Sequence, residues 1–130
     1  MTRVPLLLVT HADLGAALLR AAERIYGPID GVEVLSNDGL SRAALEAEIA
    51  RRTAGWSEGG LVLTDFFGGS CHAGVQSATR ERGVAVLTGV NLPALLDYLH
   101  NRDAFPVLEL AERLQRKGQD SIRLQRGPGV

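Results

Sequence analysis

Short apolar runs alternate along this chain with longer segments in which apolar residues recur every three or four positions. That is the signature of parallel strands joined by helical crossovers. Leu6-Leu7-Leu8-Val9 is a continuous apolar run, as a central strand covered on both faces requires. Leu14, Leu18, Ala21, Ala22 and Ile25 then fall on one helical face, and Gly27-Pro28 ends that helix. Val32–Leu35 reads as a second strand, and Ser41 as the cap of a second helix reaching about Thr53, with Leu45 and Ile49 inward. Leu61–Thr64 reads as a third strand ending at Asp65. Gly68-Gly69-Ser70 follows as a tight loop, with Ser70 as cap of a third helix running to about Arg82. Val84–Leu87 is a fourth strand. Leu92, Leu95, Leu96 and Leu99 mark a fourth helix with Pro93 in its first turn, and Val107, Leu110, Ala111 and Leu114 mark a fifth. Ser121-Ile122-Arg123-Leu124 alternates polar and apolar, so it reads as a half-exposed antiparallel edge strand.

The sum is an α/β, open three-layer sandwich of flavodoxin-like type. Four parallel strands in the order 2-1-3-4 carry helices on both faces. Residues 1–125 form one domain and 126–130 a frayed tail. In such folds ligands gather beyond the carboxyl ends of the strands, where the chain reverses direction across the sheet. The most polar strand ends here, Thr10-His11 and Thr64-Asp65, meet at that crevice.

Composition narrows the function. The chain has 14 Lys and Arg against 15 Asp and Glu, a net charge of −1, and no basic block. Binding to nucleic-acid phosphates is therefore not expected. Cys71 is the only cysteine, so an intrachain disulfide is impossible, and His11, His72 and His100 have no recognisable metal spacing. The first apolar run is too short to span a membrane, and the chain reads as cytoplasmic.

Three features converge on the crevice: His11 after the first strand, Asp65 after the third, and a Gly-Gly-Ser loop opening a helix. Together they suit phosphoryl transfer to an imidazole. The nucleophile must be a neutral ring nitrogen held in one tautomer, and a carboxylate on the other nitrogen, Asp65, fixes it. The backbone N–H groups of Gly69, Ser70 and Cys71 offer an anion cradle, with the Ser70 hydroxyl as a further donor. No metal and no cofactor is required. Cys71 reads as a small buried residue whose place at a helix start can lower its thiol pKa. Phe66 and Phe67 read as a partner-docking surface, or as one ring packed under the loop.

Leu8-Val9-Thr10-His11, Thr64-Asp65-Phe66-Phe67-Gly68-Gly69-Ser70 and Thr88-Gly89-Val90-Asn91-Leu92-Pro93-Ala94-Leu95 occur in an order and at separations that carry a resemblance. The chain resembles, over essentially its whole length, the mannose-class (mannose/fructose/sorbose) enzyme IIA domain of the phosphoenolpyruvate-dependent sugar phosphotransferase system. The resemblance implies that His11 accepts a phosphoryl group from phospho-HPr and passes it to a IIB component. It implies that Asp65 orients His11, and that Gly69 and Ser70 line the phosphoryl site. It also implies a homodimer in which the C-terminal strand, here with Ile122 and Leu124, joins the partner's sheet, and contact with a membrane only through transporter partners. Two positions depart from the family pattern. Ala12 follows the histidine where glycine is usual, which matters if the backbone there needs a positive φ. Cys71-His72 follows the serine where proline is common. Asp13 is expected to cap the first helix.

Other readings share parts of this pattern. A phosphocarrier subunit for dihydroxyacetone kinase, or a regulatory carrier without a transporter, keeps the chemistry and changes the acceptor. A receiver-type domain phosphorylated on Asp65 needs an acidic cluster after strand one and a lysine after strand five, yet the only lysine is Lys117. A flavin- or nucleotide-binding module needs a phosphate loop directly after strand one, which this chain lacks.

Overall fold

The computed structural model describes residues 2–80 and 82–130. Four strands, β1 (Leu6–Thr10), β2 (Val32–Ser36), β3 (Gly60–Thr64) and β4 (Val84–Thr88), form one sheet in the order β2-β1-β3-β4. All three pairings are parallel, with Leu8 opposite Val34 and Leu63, and Thr64 opposite Thr88. Helices α1 (Leu14–Tyr26), α2 (Arg42–Thr53), α3 (Ser70–Thr79), α4 (Leu92–Asn101) and α5 (Val107–Asp120) complete the three layers. No helix among the described residues is long and apolar enough to cross a membrane.

The alternation of side chains along each strand divides the core in two. Leu6 and Leu8 of β1, with Leu61 and Leu63 of β3, pack against Ala22, Leu95, Leu99, Leu110 and Leu114. Leu7, Val9 and Val62 face the other way, onto Leu45, Ile49, Cys71 and Val75. Each such aliphatic side chain removed from water contributes about 1.5–3 kcal/mol. Continuous apolar runs in β1 and β3 follow directly, because both of their faces are covered.

Ser41 accepts a hydrogen bond from the Ala44 N–H and Asn91 from the Ala94 N–H, so α2 and α4 begin on side-chain caps. Other expectations are corrected. Leu18 and Ala22 of α1 face the core, but Leu14 in the first turn and Ile25 in the last are exposed. Helix α3 stops at Thr79 rather than at about Arg82, and Glu81 lies outside the described residues. Ser70 is the first helical residue of α3, and the extended residue before it, Gly69, holds the cap position. Ser121–Leu124 forms no strand in the single chain, although its alternation is real. Ile122 and Leu124 are 79% and 90% exposed, and among the described residues nothing pairs with the outer edge of β4. A strand needs a neighbouring edge to supply its hydrogen bonds, and among the described residues this segment pairs with none.

Candidate phosphoryl-transfer site

At the carboxyl end of β1 the chain must turn sharply to enter α1. Thr10 is fully buried, and its Oγ1 accepts the Gly15 N–H at 2.7 Å, so the strand itself caps the helix. Asp13 occupies the cap position but its side chain makes no capping bond, contrary to the sequence expectation. Between them Ala12 adopts φ +49°, the left-handed region that favours glycine. The condition posed by the sequence is met: this backbone does require positive φ, and alanine bears the strain. The Asn37 Oδ1, from the turn after β2, accepts the Ala12 N–H at 3.3 Å. The Thr10 carbonyl accepts the Asn37 N–H at 3.1 Å.

His11, placed by this turn, meets Asp65 from the end of β3. The Asp65 Oδ2 accepts both the His11 backbone N–H at 2.9 Å and the ring Nδ1–H at 2.7 Å, while Oδ1 accepts the Phe66 N–H at 3.1 Å. Burial alone would raise the Asp65 carboxyl. The bonds from the His11 backbone and ring, and the ring's charge, outweigh it and hold the group below the usual carboxylate range. A carboxylate so engaged orients its partner and is poorly placed to attack phosphorus itself. The other ring nitrogen, Nε2, faces outward with the Ser70 Oγ 3.2 Å away. The Ser70 Oγ in turn accepts a long bond, 3.5 Å, from the Asn37 amide.

Ser70 and Cys71 begin α3, so their N–H groups belong to the first helical turn, where no intrahelical carbonyl is available to them. Gly69 matters for a different reason: a Cβ there would lie 2.6 Å from the Phe66 ring. That ring stacks on His11 with centroids 5.2 Å apart and planes 26° from parallel. Phe66 is 52% exposed and Phe67 77%, so neither is packed away under the loop. Both are open to a partner, Phe66 through one face only.

Cys71 is buried, and its thiol is pushed up to about 11 by burial and by the nearby Asp65 carboxylate. The helix start does not lower it, because that carboxylate and the apolar surroundings dominate. The donor atoms of His11, Asp65 and Cys71 lie within 4.8 Å of one another, a set that can in principle hold a soft cation. The site nevertheless favours an anion. Its carboxylate is already committed to three N–H groups and its thiol stays protonated, while the N–H groups of the first turn of α3 have no intrahelical acceptor. Asn37, bonded to the Ala12 N–H and the Ser70 hydroxyl, and His72, bonded to the Gly68 N–H, adjoin this site and are not among the residues the sequence singles out for it. The Ser36-Asn37-Asp38-Gly39 turn, at the strand end beside Thr10-His11, was the available signal for Asn37. For His72 there was none. His100 lies in the last turn of α4, exposed, edge-on to Tyr26 and remote from this chemistry.

An imidazole with one nitrogen pinned by a carboxylate and the other open beside a helix start, at the switch point of a 2-1-3-4 sheet, suits a phosphoryl-carrier type of domain. Residues 5–124 match the family described as "PTS system fructose IIA component", and the chain belongs to that family. It is thus a IIA component of a sugar phosphotransferase system, of the mannose/sorbose class. A similar protein is the sorbose-specific EIIA component of Lacticaseibacillus casei, 25% identical over 115 residues, which are 85% of this chain and 83% of that one. The fold is shared with a mannose/sorbose-specific IIA subunit from Enterococcus faecalis (TM-score 0.83, 24% identity, 99% of each chain). It is shared equally with an EIIA component from Streptococcus agalactiae (TM-score 0.85, 22% identity, 92% of this chain and 95% of that one).

Proposed function

We propose that His11 is the phosphoryl acceptor, taking the group from phospho-HPr on Nε2 and passing it to a IIB component. The observation that carries this reading is the asymmetry of the ring: Nδ1 is held by Asp65 at 2.7 Å while Nε2 opens beside Ser70. In the transfer the lone pair of Nε2 forms the new N–P bond as the donor's N–P bond breaks, and the donor imidazole leaves with the electron pair. Positive charge that develops on the His11 ring is met by the Asp65 carboxylate. Negative charge on the moving group is met by the N–H groups of Gly69, Ser70 and Cys71 and by the Ser70 hydroxyl. No step needs a metal or a cofactor. The second transfer runs the same way in reverse, to a nitrogen or sulfur nucleophile of the acceptor.

Phe66 and Phe67 supply the apolar contact surface for donor and acceptor in turn. The open β4 edge and the bare Ile122–Leu124 segment support a homodimer in which each tail pairs with the other protomer's sheet. The pathway places the protein in the cytoplasm. Incubation with phosphoenolpyruvate, enzyme I and HPr, followed by mapping of the labelled residue, tests the central claim. A base-stable label on His11 is expected; a base-labile label on Asp65, or none, refutes it. Removal of residues 121–130 is expected to give a monomer by light scattering.

A further inference from the structure

We propose that His72 is a positioning residue for this site, one buried side chain that holds both the phosphoryl-binding loop and the exposed Phe67. Its functional consequence rests on the phosphocarrier reading above; its structural part does not.

His72 sits in the first turn of α3 and is only 6% exposed. Side chains on a helix lean toward its N-terminus, and this one reaches back four residues to the loop. There its Nδ1 accepts the Gly68 N–H at 2.9 Å. An accepting Nδ1 is unprotonated, so the neutral ring carries its proton on Nε2. Gly68 has φ +85°, a left-handed turn that brings the loop round into the start of α3. Its amide is the one the sharp turn directs inward, and His72 gives it a partner. Two residues on is Ser70, whose hydroxyl lies 3.2 Å from the outward nitrogen of His11. Fixing Gly68 therefore fixes that hydroxyl.

The same ring does a second thing. Its face lies against Phe67, with centroids 4.7 Å apart and planes tilted by 40°. Phe67 is the more exposed of the two loop aromatics, and a ring so exposed would otherwise be free to change rotamer. His72 holds it in one orientation from below. Few side chains can do both. Phenylalanine offers the face without an acceptor, and asparagine offers an acceptor in the place of Nδ1 without the face.

Those two replacements separate the roles. In His72→Phe the Gly68 amide loses its acceptor, so its hydrogen exchange accelerates and kcat falls, each by about tenfold, while the KM for phospho-HPr holds. In His72→Asn the exchange and kcat stay near wild type, while KM rises about fivefold because Phe67 is no longer supported. Nitrogen NMR of the wild type is expected to show Nδ1 of His72 unprotonated. The proposal is overturned if His72→Phe keeps wild-type exchange and kcat. It is equally overturned if both variants lose kcat, KM and thermal stability together, for then His72 only fills space. Failure of the carrier reading looks different: His11 stays unlabelled in the wild type while the Gly68 amide is still protected by His72.

Discussion

The two ends of the sheet each join a nitrogen-bearing side chain to a carboxylate, yet they are put to opposite uses. At the amino end Arg102, buried, donates to the Asp30 carbonyl at 2.7 Å and to its carboxylate at 3.1 Å, and lies over the Tyr98 ring. The Tyr98 hydroxyl donates to the Val4 carbonyl at 2.6 Å, and the Val4 N–H donates to the Arg102 carbonyl at 3.0 Å. All but the Arg102–Asp30 carboxylate bond in that network end on a backbone carbonyl, so they tie side chain and backbone to the chain itself. At the carboxyl end the same kind of pair, His11 with Asp65, is closed on one nitrogen and open on the other. A cluster whose bonds hold carbonyls in place stabilises; a cluster that leaves a ring nitrogen without a backbone partner, beside a hydroxyl, can react.

That contrast can be broken in order of effect. His11→Ala is expected to abolish phosphorylation by phospho-HPr, with circular dichroism and melting temperature unchanged. Any label retained by that variant assigns the chemistry elsewhere. Asp65→Asn should slow transfer by about a hundredfold in rapid-quench assays and leave the protein folded, because the group orients and stabilises rather than reacts. Arg102→Met at the amino end should do the reverse. It should lower unfolding free energy by about 2 kcal/mol in urea titrations, and the transfer rate per folded molecule should stay the same. A rate loss there would couple the two ends, and the contrast drawn here would fail.

Acid sharpens the comparison further. The Asp65 carboxyl is held below its unfolded value, so its contribution is whole above that value. It is lost as pH falls through the lowered one. Thermal melts from about pH 5 downward should therefore decline more steeply for the wild type than for Asp65→Asn. The smallest effect is expected at Ala12, where replacement by glycine relieves a left-handed backbone at some cost in chain entropy. A gain of about 0.5 kcal/mol with an unchanged transfer rate is the expected balance.

Much of this was legible in the residues. Leu6–Val9 and Leu61–Leu63 declare buried central strands because burial on both faces leaves no polar position to interrupt them. Ser41 declares a helix start because its side chain reaches an amide three residues on. His11 and Asp65 could be brought together from topology alone. The misreadings share a cause, which is that a side chain's partner is not set by local sequence. Ser70 has the look of a cap but is the first helical residue and turns to His11, and the glycine before it holds the cap position. Asp13 has the look of a cap but leaves the task to Thr10, a strand residue. The tail from Ser121 has the alternation of a strand but, among the described residues, pairs with no edge. Asn37 and His72 act through loop geometry that no periodicity encodes.

The double hold that Asp65 Oδ2 exerts on His11, by backbone and ring at once, has a kinetic corollary. An imidazole so tethered cannot spin to offer its second nitrogen, and it therefore has a single doorway. Giver and taker must come to that doorway by turns. Steady-state velocities, measured with both partners varied, should accordingly trace the parallel reciprocal lines of a shuttle and not the converging lines of a ternary complex.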